Sequence, residues 1–362
     1  MLSKSFQLFQ SLLKLFPSRY QRETMEVVLG LFLEARGKPL PTYSKTKSES
    51  AISRFFNKYN WSVRAVIREQ RQAIKKALFS RKTTPRPILD VMIDLTTLEK
   101  TGKFKGLKGL IQVLNKKRGL QIVVLYLVVG DWRVPWSFRV WRGKGAKSPA
   151  ELSLALWRCL PKSFQDYYRI RVMVDAGITS KNFLAGIWSL GFDVIAAVRG
   201  DLLLANGQHF NTIKCRGEIV HIKDWEKPVY LSWFWLKRNG KLQKRFVIST
   251  KAIAGKRITK LGKRRWKIEG FFKTAKHRFG LDRFGQQTLL GVYRWLVLSL
   301  ISFILTHWHY LANENQPGLD WGQAAKETLE ILLPQLLVKQ LLLEIERFQA
   351  QAQKIGRKII II

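Results

Sequence analysis

Between residues 88 and 198 the chain alternates β-branched apolar runs with stretches of helical periodicity, and this alternation limits the folds open to it. Runs 88–95, 121–129 and 135–141 read as the first strands of a sheet. They are followed by a helix over 149–159, a strand over 170–174, a helix over 180–190 and a strand over 192–198. Strands interleaved with helices predict an α/β domain. From 201 to 250 the texture changes to short strands, at 218–222 and 230–237, with an Asn239-Gly240 hairpin turn between Trp235 and Phe246. This stretch reads as a β-rich insertion.

Helices flank that core on both sides. Periodic apolar residues in 6–16 and 20–32 predict two helices, ended by a Gly/Pro breaker at 37–41. Ser48 is placed to cap a helix through ESAISRFFNKY, and Ser62 to cap the basic helix VRAVIREQRQAIKKALFSR. Two helices on a short turn, the second basic, fit either a DNA reader or an ordinary helical hairpin. Pro85 and Pro87 mark a linker. Past the core the pattern predicts one helix over 263–278, an apolar helix around 295–306, and a long helix over 323–353 interrupted by Pro334. The organisation expected is a small helical domain at 1–85, an α/β domain at 88–310 and a C-terminal helical segment at 311–362.

Lysine and arginine number 64 against 25 acidic residues, a formal net charge of +39 carried on a chain that is 46% hydrophobic. Such a chain folds, and its charge calls for a polyanionic partner. Nucleic acid fits best, because cations that neutralise phosphates release condensed counterions. A membrane is the weaker partner: the apolar run 295–306, closed by Arg294 and His307, falls short of the ~20 residues a spanning helix needs. Cys159 and Cys215 lie far apart without metal-ligand spacing, which suits a reducing cytoplasm. No histidine pattern points to a metal either.

Three carboxylates stand where chemistry is done. Asp94 is expected at the end of the strand beginning at Ile88, and Asp175 at the end of the strand beginning at Ile170, where α/β sheets present functional groups. Glu269 lies on a helix with Arg265 four residues earlier, and Ile268, Phe271, Phe272, Ala275 and Phe279 form its buried face. Taken singly, each aspartate reads as a turn cap and Glu269 as a solvated acid. Together they are what a pair of octahedral magnesium ions needs. Asp90 and Asp131 are the decoys to control for.

Asp94-Leu95-Thr96, Val174-Asp175-Ala176-Gly177 and Arg265-Trp266-Lys267-Ile268-Glu269 with Lys276 together resemble a DDE transposase of bacterial insertion sequences, over roughly residues 88–310. The spacing of Arg265, Glu269 and Lys276 is similar to the Y-x2-R-x3-E-x6-K signature of insertion-sequence family four, with Gly262 at the tyrosine position. The resemblance implies a ribonuclease H-like core with a β-rich insertion before the glutamate. It implies Asp94, Asp175 and Glu269 as catalytic metal ligands for two Mg2+ ions, with Mn2+ able to substitute. It further implies strand cleavage and strand transfer at terminal inverted repeats of double-stranded DNA, by a homodimer in the nucleoid-associated cytoplasm. Arg265, Lys273, Lys276 and Arg278 are expected on phosphates. Trp233 and Trp235 are expected either to stack on an extruded base or simply to pack. A DNA-binding relic or repressor that no longer cuts is the alternative, motivated by Gly262.

Overall fold

The computed structural model describes residues 2–34, 38–79, 86–114, 116–238, 240–313 and 318–359. Gly37, Pro85 and Asn239, which the sequence marks as a helix stop, a linker and a hairpin turn, lie outside them. The chain forms two compact units, neither continuous in sequence. Met1–Ser80, Phe104–Leu107 and Lys273–Ile362 make one, and Arg81–Lys103 with Lys108–Phe272 makes the other. The stretch 88–310 is thereby divided at Lys273, because the helices beyond it share a core with those at the N-terminus.

Four helices open the first unit: α1 (Leu2–Leu13), α2 (Arg19–Glu34), α3 (Glu49–Asn57) and α4 (Val63–Leu78). Ser48 and Ser62 cap α3 and α4, their side-chain oxygens accepting from the amides of Ala51 (3.3 Å) and Ala65 (3.2 Å). α4 turns Val66, Gln70 and Ile74 inward and leaves Arg64, Arg68, Gln72 and Lys76 exposed. That spacing of four makes one continuous polar stripe.

The second unit is built on nine described strands: β1 (Ile88–Glu99), β2 (Ile111–Leu114), β3 (Lys117–Val129), β4 (Trp132–Trp141), β5 (Arg169–Val174), β6 (Val194–Val198), β7 (Glu218–Val220), β8 (Val229–Arg238) and β9 (Lys241–Ser249). They form one mixed sheet in the order β2-β3-β1-β5-β6-β9-β8-β7, with β4 also against β3. β1, β5 and β6 are parallel to one another, and the other pairings are antiparallel. β9 pairs with β6 from Ile195↔Ser249 to Val198↔Phe246. The strands expected as an insertion over 201–250 therefore extend the same sheet instead of standing apart from it.

Helices α5 (Pro149–Trp157), α6 (Lys162–Tyr167), α7 (Lys181–Trp188) and α8 (Gly255–Arg264) belong to this unit, and α9 (Lys267–His277) begins in it. Ser148 and Glu151 close a reciprocal capping box on α5. The single helix expected over 263–278 is two. The amides of Trp266 and Ile268 bond to the carbonyls of Lys263 and Arg265, only three residues back, and this tightening ends α8 and re-aims α9. The buried residues Ile258, Leu261 and Gly262 seat α8 against β8, β9 and β6. Tyr126 of β3 stacks on Phe271 of α9 at 4.7 Å, and Ile268 is fully buried beside it.

The first unit is completed by α10 (Leu289–Ala312), α11 (Trp321–Leu332) and α12 (Pro334–Lys354). By length and composition α10 is apolar enough to cross a membrane, but 83% of its most apolar window is buried. Its neighbours are α1, α2, α3, α4 and α11. Arg294 on α10 donates to the carbonyls of Phe55 (3.1 Å), Phe56 (3.0 Å), Tyr59 (2.7 Å) and Trp61 (2.7 Å), satisfying the turn between α3 and α4. Its guanidinium also lies 4.2 Å from the Trp61 ring centroid.

Candidate active site

Register brings the two aspartates together. Parallel pairing of β1 with β5 stops at Ile93↔Val174, and Asp94 and Asp175 are the next residue on each side. β1 does not end there as the sequence suggested. It continues to Glu99 because β3 still pairs with it, through Asp94↔Val124 to Glu99↔Gly119. What ends at Asp94 is the parallel partner, and the carboxyl edge of a parallel pair is where α/β sheets open a crevice.

Glu269, in the first turn of α9, completes the group through Arg265. The Arg265 guanidinium donates to Asp94 Oδ2 at 3.0 Å and to Glu269 Oε1 at 3.1 Å, and lies 3.1 Å from Asp175 Oδ1. Asp94 and Arg265 are buried, whereas Glu269 is exposed. One cation among three carboxylates leaves the cluster short of positive charge. Burial, and then the neighbouring charge of Asp175, push the Asp94 carboxyl up from 3.8 to about 7, against the pull of Arg265 and of the Leu95 amide that donates to it at 2.7 Å.

Carboxylate oxygens are the donors that Mg2+ and Mn2+ take, and a divalent cation would offset both the burial and the repulsion from Asp175 that raise Asp94. In kind, then, the residues fit a metal. In spacing, the guanidinium stands in the middle of them. Among the described residues, no three such side chains lie close enough to hold an ion in this arrangement.

A cavity of about 470 Å³ opens beside Asp175 and Glu269, walled by Phe234, Leu236, Arg245 and Trp266. Phe234 and Trp266 meet edge to face at 5.8 Å. Strand alternation puts Phe234 and Leu236 on this side of β8, and Trp233 and Trp235 on the other. The Trp233 ring carries the cations of Arg216 (4.3 Å from its centroid) and Lys244 (4.4 Å), while Trp235 is exposed. The two tryptophans singled out in the sequence therefore face away from the carboxylates. The aromatic residues that flank the site are their neighbour Phe234 with Phe246 and Trp266. No sequence pattern marks Arg245 as part of it, and Trp266 stands inside the Arg265–Glu269 motif only at a position the signature leaves open.

Gly262 also lines the cavity. A Cβ there would lie 2.6 and 2.9 Å from the two methyl groups of Val247 on β9. A larger side chain here forces Val247 or α8 to shift, so the close seating of α8 on β9 favours glycine over the signature tyrosine at this position. Of the residues expected on phosphates, Arg265 instead bridges the carboxylates. Lys273 is exposed and Lys276 half-buried on α9, while Arg278 faces Asp320 at 3.7 Å. The decoy Asp90 is fully buried and paired with Arg171 (2.6 Å) and Arg264, and Asp131 is exposed in the turn between β3 and β4.

Residues 155–305 match the family described as Transposase DDE domain. The match takes in Asp175, Arg265 and Glu269 and begins beyond Asp94. No curated protein matches the sequence. Among solved structures, the fold is similar to that of the piggyBac transposase in a synaptic complex with hairpin DNA determined by cryo-EM. The TM-score is 0.52 at 10% identity, over 94% of this chain and 79% of that one. The likeness shows a shared fold.

Proposed function

We propose that this protein is a transposase that cuts and joins DNA strands with divalent metal ions held by Asp94, Asp175 and Glu269. The observation that carries the reading is the convergence of these three carboxylates on one guanidinium at the carboxyl edge of β1 and β5. The match of residues 155–305 to a transposase domain supports it. A ribonuclease H-like core accords with strands β4-β3-β1-β5-β6, antiparallel at first and then parallel.

Two Mg2+ ions, or Mn2+ in their place, would activate water or a 3′-hydroxyl and stabilise the leaving oxygen when bound. Arg265 balances the carboxylates in their absence. With a cation on the carboxylates, the Arg265 guanidinium would be free to pair with a phosphate, to which its planar fork bonds in a bidentate manner. Asp94, with a pKa of about 7, exchanges its proton near neutral pH. Phe234 and Trp266 offer aromatic surface to a base beside the scissile bond. The exposed stripe Arg64, Arg68, Gln72 and Lys76 of α4 suits contact with a duplex. Lys273 and Lys276 extend the basic residues along α9. The protein would act as a homodimer on terminal inverted repeats and target DNA, in the cytoplasm on the nucleoid.

The test incubates purified protein and Mg2+ with DNA carrying the sequences that flank its own reading frame. Cleavage by the wild type, abolished in Asp94→Ala, Asp175→Ala and Glu269→Ala while DNA binding persists, is the expected outcome. Cutting that survives all three substitutions would sink the assignment. The second reading is a derived protein that binds DNA without cutting, favoured by the position of Arg265 between the carboxylates. Tight binding without metal-dependent cleavage by the wild type would establish it instead.

A further inference from the structure

The strands that carry the aspartates have a second charged site at their other end. Parallel pairing of β1 and β5 starts at Ile88↔Arg169 and finishes at Ile93↔Val174. At ~3.3 Å per residue the starting end lies roughly 20 Å from Asp94 and Asp175. A cavity of about 910 Å³ opens there. Arg86, Arg169 and Arg171 line it from the strand ends, and Lys256, Arg257, Lys260 and Arg264 line it from α8. On α8, Lys256, Lys260 and Arg264 recur every four residues and so share a face, opposite the buried Ile258, Leu261 and Gly262.

The pairing within this cavity is uneven. Asp90 holds Arg171 and Arg264 and fixes both heads, and because Asp90 is fully buried its charge is spent on them. Arg86 is turned to the carbonyls of Gln165 (3.3 Å) and Asp166 (3.2 Å), and Arg169 to the carbonyl of Arg86 (3.2 Å). Lys256, Arg257 and Lys260 are exposed, and among the described residues none of them pairs with a carboxylate. Like charges crowded into a concavity raise its potential and draw anions to it.

The geometry points to a second DNA contact: this cavity receives the phosphate backbone of duplex DNA about 20 Å from the scissile phosphate. Lys256, Arg257 and Lys260 supply adaptable contacts, while Arg171 and Arg264, preset by Asp90, present rigid forks to phosphate oxygens. Phosphate contacts of this kind position a duplex without reading its sequence. The inference rests on the DNA-cutting reading above and adds to it a surface which that reading does not use.

The experiment measures equilibrium binding of the full chain to a short duplex over a salt series. It compares the wild type with the triple variant Lys256→Ala, Arg257→Ala, Lys260→Ala. A control variant, Lys339→Ala, Arg347→Ala, Lys354→Ala, removes as many exposed cations from α12. Each phosphate that is no longer neutralised lowers the slope of log K against log salt by about 0.9, so the slope for the α8 variant should fall by roughly 2 to 3 units. The α12 variant should keep the wild-type slope, and both should unfold at the wild-type midpoint. Equal slopes for the two variants would overturn the assignment while leaving the cleavage reading intact. A wild type that binds no duplex would overturn both.

Discussion

Replacing Asp94 by asparagine should make the metal-free protein more stable, by an amount that grows with pH. The Asp94 carboxyl is raised from 3.8 to about 7 in the folded state, chiefly by burial and then by Asp175. Below about pH 4 both folded and unfolded chains hold the proton, and Asp94 costs nothing. As pH rises from there, the unfolded chain releases its proton first, so the folded state loses about 1.4 kcal/mol per unit until it too ionises near pH 7. Above pH 7 the full cost, roughly 4 kcal/mol, is in place. Asparagine is neutral throughout and escapes it. In urea unfolding with a chelator present, Asp94→Asn should exceed the wild type by roughly 4 kcal/mol at pH 8 and roughly 2 kcal/mol at pH 5.5. Saturating Mg2+ should then narrow the gap by stabilising only the wild type, about 2.7 kcal/mol at a hundredfold excess over Kd. An asparagine variant no more stable than the wild type at pH 8, or an advantage that is the same at both pH values, would refute the reasoning.

Arg265→Ala removes the cation that the three carboxylates share. It should destabilise the metal-free protein by about 3–5 kcal/mol at pH 8, with Mg2+ restoring part of the loss in a thermal shift assay. Gly262→Ala drives a methyl group into Val247, costing about 1–3 kcal/mol against up to ~1 kcal/mol gained in helix propensity. Adding Val247→Ala should relieve that clash, so a double-mutant cycle should show positive coupling between the two sites. Arg294→Met leaves the buried carbonyls of Phe56 and Trp61 without a donor, while those of Phe55 and Tyr59 keep the Trp61 indole and amide, and should cost about 2–4 kcal/mol, read as faster hydrogen exchange in α3 and at the start of α4.

How far the sequence reveals this site depends on the interaction in question. Asp94, Asp175 and Glu269 stand out in the sequence because β-branched runs put the two aspartates near strand ends, a periodic buried face puts Glu269 on a packed helix, and the three together resemble a DDE set, although β1 in fact runs on to Glu99 and Glu269 opens a separate helix. The role of Arg265 does not. Its i,i+4 relation to Glu269 is visible, but the tightening at Trp266 that turns its guanidinium onto both aspartates depends on tertiary contacts. β8 hides its phase for another reason. Trp233, Phe234 and Trp235 are aromatic in succession, so a period of two cannot say which face meets the cavity, and a one-residue slip exchanges the faces. The merging of 201–250 into the main sheet is hidden because β6 and β9 pair across some fifty intervening residues, as in Ile195↔Ser249. The division at Lys273 follows from Arg294 and its helix, whose partners lie near the other end of the chain.

That long reach of Arg294 orders the birth of the molecule. Its carbonyl partners precede it by 233 to 239 residues. At a synthesis rate of about 5–20 residues per second, α10 follows α3 by roughly 10 to 50 s. Through that interval Phe55 and Phe56, fully buried in the finished protein, lack the helix that covers them. The sheet unit, by contrast, is complete at Phe272, with all three carboxylates already synthesised. A message broken off between Phe272 and α10 would yield a chain that holds the whole sheet unit with its three carboxylates but leaves its first four helices without α10, open to proteases and chaperones.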